Sequence, residues 1–72
     1  MNFPVLAETV NDIKINGNSR VSDETIKIYG EIKLNENYDQ KKLNNILRNL
    51  FGTKFFEDVN LRILNNTLIV DV

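Results

Sequence analysis

The strongest constraint in this 72-residue chain is a turn near its end, Asn65-Asn66, standing between two apolar-rich runs. Asparagine tolerates the left-handed backbone that both central residues of a tight hairpin turn require. A two-residue turn at this point fixes the register by counting outward. Leu64 faces Thr67, Ile63 faces Leu68, Leu61 faces Val70 and Val59 faces Val72, which gathers apolar pairs on one face. The opposite face pairs Asn60 with Asp71 and Arg62 with Ile69, leaving Arg62 diagonal to Asp71 and within reach of a weak exposed ion pair. A slip of one residue would turn every one of these side chains to the wrong face. The final strand contains Leu68, Ile69 and Val70 in succession, as a central strand does, whereas residues 59–63 alternate like an edge strand with one wet face.

The rest of the chain must supply a layer to cover that hairpin. Ile13 and Ile15 alternate with Asp12, Lys14 and Asn16, so residues 10–16 read as a first strand ending at the Gly17-Asn18 turn. Ser22 before Asp23 and Glu24 is a cap followed by acids that suit a helix N-terminus, and helix one is expected from Asp23 to Tyr29, closed by a left-handed Gly30. Residues 31–38 show no period and read as a connector. Asp39 then caps a second helix in which Leu43, Ile46, Leu47, Leu50 and Phe51 share one face, ending before Gly52. Lys41, Lys42, Asn44, Asn45, Arg48 and Asn49 fall on its other face and read as solvated surface. The element order is β-α-α-β-β, an α+β two-layer sandwich.

Composition narrows the function. Charged residues are 26% and hydrophobic residues 42%, a globular balance, and the net charge of -1 gives no positive field for nucleic acid or anionic lipid. Without Cys or His the chain lacks disulfides, the usual transition-metal ligands and the commonest catalytic base, so no metal site and no cofactor is expected. No apolar run is long enough to span a bilayer as a helix. Val5-Leu6-Ala7-Glu8 follows a short apolar group, so residues 1–8 read as a signal-peptide remnant or a flexible leader, with the domain proper at 9–72. Glu57 and Asp58 are adjacent, but neighbours on a strand point to opposite faces and cannot share a proton. Ser19 and Ser22 have no nearby base, and the three glycines are too far apart for a phosphate loop. The chain is expected not to be an enzyme.

Two segments carry a family resemblance. Ile15-Asn16-Gly17-Asn18-Ser19-Arg20-Val21 resembles the opening of POTRA domains, and Leu50-Phe51-Gly52-Thr53-Lys54-Phe55-Phe56-Glu57-Asp58-Val59 resembles their second signature, where helix two ends in a small turn and an aromatic precedes Asp-Val. The likeness covers residues 10–72 and is greatest to the first POTRA domain of BamA-type outer-membrane protein assembly factors. Lys54 departs from the family, where glycine is common. Within the signatures, Gly17 and Gly52 read as positive-φ glycines, and Phe51, Phe55 and Phe56 as core and staple residues.

The resemblance implies a three-stranded mixed sheet of order 1-3-2, covered on one face by two helices. It also implies a periplasmic protein-docking role, with unfolded barrel precursors, assembly-machine subunits and neighbouring POTRA domains as partners. Together with the hairpin register it marks Asp58, Val59, Asn60, Leu61, Arg62, Ile63 and Leu64 as an edge whose backbone an extended client could complete by β-augmentation. Two other readings stay open. KH domains share the β-α-α-β-β opening but need a GXXG loop between their helices, where this chain has Gly30-Glu31-Ile32-Lys33. A POTRA domain of a secretion transporter or cell-division protein could instead act as a spacer.

Overall fold

The structure is a computed structural model that describes residues 8–72. The leader expected at the start therefore lies outside the described residues as far as position 7, and Glu8 already pairs in a strand. The elements are β1 (Glu8–Val10), β2 (Asp12–Asn16), α1 (Asp23–Gly30), β3 (Glu36–Tyr38), α2 (Gln40–Gly52), β4 (Asn60–Leu64) and β5 (Thr67–Asp71). A three-stranded mixed sheet has the order β2-β5-β4, with β2 parallel and β4 antiparallel to the central β5. A second, two-stranded antiparallel sheet joins β1 to β3.

The hairpin sets the larger sheet. Asn65 and Asn66 have φ of 52° and 61°, the left-handed pair a tight turn needs, and every pairing from Asn60↔Asp71 to Leu64↔Thr67 follows from that turn. Leu68 and Val70 are fully buried with Ile26 of α1 and Ile46 and Leu50 of α2, so the helices cover this face of the sheet. Ile69 points the other way and is still buried, flanked in register by Lys14 and Arg62, whose aliphatic stems can shelter it.

Both helix starts form as the sequence requires. Ser22 accepts a hydrogen bond from the Thr25 amide at 3.1 Å, and Asp39 accepts from the Lys42 amide at 2.8 Å. The ends differ from expectation. Gly30 remains in α1, and the left-handed residue is Glu31, with φ of 55°. Gly30 is small for another reason, because a Cβ there would lie 3.0 Å from the Ile32 side chain, which plugs the core at this point. Gly52 is likewise helical, and Lys54 carries the positive φ of 63°. Gly17 does take a positive φ, 85°, and a Cβ on it would sit 2.2 Å from the Val72 carbonyl oxygen.

The segment at 31–38 is more than a connector. Asn35, left-handed at φ 61°, donates its amide to the Val10 carbonyl at 2.6 Å, and β3 follows. Tyr38 is 1% exposed and its hydroxyl both accepts from the Lys33 amide (2.9 Å) and donates to the Lys33 carbonyl (2.5 Å), so this buried polar atom is fully used. The two sheets are tied at Asn66, whose side-chain amide donates to the Thr9 carbonyl at 2.7 Å while its own carbonyl accepts from the Asn11 amide at 2.9 Å.

The aromatics of the second signature are also placed differently. Phe51 and Phe55 are exposed, 44% and 53%, and only Phe56 packs against the core. Phe55 stacks edge-on with Tyr29 and with Phe56 at the surface, with centroids 5.7 and 6.2 Å apart.

Two stability tests follow from these backbone conformations. A left-handed residue with a Cβ costs roughly 1–2 kcal/mol, and glycine's extra freedom in the unfolded chain takes back about 0.5–1 kcal/mol, so Lys54→Gly should stabilise the domain by roughly 0.5–1 kcal/mol in urea denaturation. Asn65→Gly and Asn66→Gly should differ although both suit the turn. The second loses the bond to Thr9 and should come out about 1 kcal/mol less stable than the first.

Candidate functional site

The candidate site is the outer margin of β4. Leu64 and Thr67 flank a two-residue loop, so they must exchange both ladder bonds with each other; the alternative would need the two turn residues to bond one another. Alternation then turns the backbone groups of Asn60, Arg62 and Leu64 toward β5, and those of Leu61 and Ile63 outward. No other described strand lies beyond β4. Among the described residues, the Leu61 and Ile63 amides and carbonyls therefore form a short row of unpaired donors and acceptors.

The expected site residues sort into three groups. Leu61 and Ile63 supply the outward backbone while their half-buried side chains pack on the core. Asn60, Arg62 and Leu64 spend their backbone on the ladder and expose their side chains; Arg62 reaches Asp71 at 3.5 Å, a weak, largely exposed pair. Asp58 and Val59 precede the strand. Val59 is 7% exposed and belongs to the core, and Asp58 is exposed in the approach. A proline at Asn60 or Arg62 would thus break a ladder bond rather than blunt the open margin.

The sheet has a second margin, at β2, which the sequence reading left out. The Val72 amide donates to the Asn16 carbonyl at 3.0 Å, so alternation directs Asp12, Lys14 and Asn16 toward β5 and Ile13 and Ile15 outward. Here the first outward donor is already taken, because the Asp12 carboxylate accepts the Ile13 amide at 2.9 Å. That local bond occupies one of the outward groups of the β2 margin, and no corresponding side-chain bond reaches Leu61 or Ile63 among the described residues. The two margins are chemically unequal.

No group of three or more Asp and Glu residues that could hold a metal occurs among the described residues. No helix described is long and apolar enough to cross a membrane.

Comparison with known proteins agrees with the geometry. Residues 8–72 match the model of the POTRA family, described as a surface antigen variable number repeat. The chain is also 28% identical over 64 residues to the outer membrane protein assembly factor BamA of Neisseria meningitidis serogroup B (strain ATCC BAA-335 / MC58), a match that covers 89% of this chain and 8% of that protein.

Amide hydrogen exchange gives a direct check on the parity of β4. Leu61 and Ile63 should exchange markedly faster than Asn60, Arg62 and Leu64, in strict alternation; protection at Leu61 and Ile63 equal to that of their neighbours would show that the margin is covered.

Proposed function

The chain belongs to the POTRA family, and from that membership we propose that it is a non-catalytic, periplasmic docking module of an outer-membrane β-barrel assembly machine. Unfolded barrel precursors would be its clients, bound by addition of a strand to β4. The observation that carries this reading is the pair of outward backbone sets at Leu61 and Ile63, set beside a β2 margin whose first donor is engaged by Asp12. Main-chain recognition tolerates many client sequences, which suits a machine handling diverse precursors. The similarity to BamA supports the setting, and assembly-machine subunits and neighbouring POTRA domains are the other partners this setting implies.

The bonding capacity is small. Two outward residues allow only a short stretch of guest ladder, and an extended guest loses conformational freedom on docking, so a single domain should bind weakly. Several such domains on one chain would raise the avidity without any new contact.

A titration with an extended peptide from a barrel strand tests the proposal. Binding should shift the Leu61 and Ile63 amides first and slow their hydrogen exchange, leaving Ile15 and α1 unchanged. Shifts confined to β2 would move the docking site to the other margin, and saturating peptide with no shift at either margin would favour a spacer role.

A further inference from the structure

A groove of about 410 Å³ runs between α2 and the segment that links α1 to β3. One wall is the helix stripe Lys41, Asn45 and Arg48, and the other is built by Gly30, Glu31 and Lys33. None of its residues belongs to β4 or β5, so it is separate from the docking margin. The fold makes this concavity by returning the chain through Ile32 and Tyr38, whose burial brings Lys33 across from α2.

The charges of the groove are unevenly committed. Four cations and three carboxylates line it, in a chain whose net charge is -1. The Lys42 ammonium donates to Glu36 and lies 4.9 Å from the centre of the Tyr38 ring, and this hydrogen bond holds the Glu36 carboxyl below the ordinary carboxylate range. Asp39 is occupied as the α2 cap, and Glu31 accepts from the Asn49 side chain at 3.4 Å. Lys33, Lys41 and Arg48 are exposed and make no side-chain hydrogen bond or ion pair among the described residues, although Lys33 is near enough to Glu36 to add a minor attraction. Uncommitted positive groups thus line both walls of a cleft that holds one more cation than carboxylate. A concave site focuses such a field more than a convex surface does.

We propose that this groove is a docking site for an acidic polypeptide segment, held by Lys33, Lys41 and Arg48. Charge complementarity decides the sign of the occupant, and the groove's own carboxylates decide its class. Glu31, Glu36 and Asp39 lie among the cations, so a polymer with phosphate at every step would meet repulsion throughout. A flat anionic bilayer cannot enter a cleft. A peptide with carboxylates spaced by neutral residues can match the cations and avoid the acids.

The test is an amide-shift titration of the 72-residue chain with a synthetic peptide in which Asp and Glu alternate with Gly. Shifts should map to Glu31, Asn45 and Arg48, leave Leu61 and Ile63 unmoved, and fade with added salt. The triple variant K33Q/K41Q/R48Q should melt like the parent, since these side chains hold nothing in place, and should bind roughly tenfold more weakly. Should the triple variant lose stability, K41E and R48E made singly give the same readout. The proposal is overturned by the absence of saturable shifts, by equal affinity of the variants, or by an RNA oligomer or anionic vesicles binding the same residues as tightly as the peptide.

Discussion

The bond pair between Leu64 and Thr67 decides more of this structure than any other contact. Once the Asn65-Asn66 turn forces those residues to bond each other, the parity of both strands is settled. On β5, Leu68 and Val70 go to the helices. On β4, Leu61 and Ile63 present their main chain outward while their side chains face the core. Core packing and the outward backbone of β4 therefore come from one choice. A single-residue slip would not merely weaken the core, since it would also exchange the inward and outward backbone sets.

An open strand is a hazard as well as an opportunity, and the domain limits it by local means. β4 is short, carries Arg62 in its middle, and offers only two outward residues. At the β2 margin the Asp12 side chain occupies one outward amide, that of Ile13. β1 never extends the larger sheet, because the chain breaks at Asn11 and pairs β1 with β3 instead. Among the described residues all the outward groups of Leu61 and Ile63 stay free at β4, only the Ile13 amide is taken at β2, and either stretch is too short to hold a second copy firmly.

Much of this was legible in the sequence wherever the signal was local. The caps at Ser22 and Asp39 depend on residues three positions apart, and the register and the Arg62–Asp71 pair follow by counting outward from the turn. Residues 31–38 were not legible, because Ile32 and Tyr38 are buried by elements distant in sequence and leave no period behind. The glycines misled for a related reason. Gly30 looked like a left-handed closure, yet it is small to admit Ile32, and the left-handed sites fell to Glu31 and Lys54. Phe51 follows the core-facing spacing but lies on the flank of the stripe, about 100° round the helix from the fully buried Leu50, and its ring stays exposed. The groove could not be read either, since its walls come from separate segments and one of them looked like a loop.

The two surfaces depend on one beam. Ile46 and Leu50 of α2 bury against the sheet, with Leu43 and Leu47 packed beside them, while Lys41, Asn45 and Arg48 on the same helix line the groove. The forces at the two places differ in kind. Hydrogen bonding of a guest to the β4 main chain would read no side chain and respond little to ionic strength, whereas attraction into the groove would be Coulombic and screened within about 10 Å at 0.1 M salt. A domain built this way sets an open backbone edge apart from a charged cleft. The helix residues that fix the core thereby also fix where the groove lies relative to the sheet.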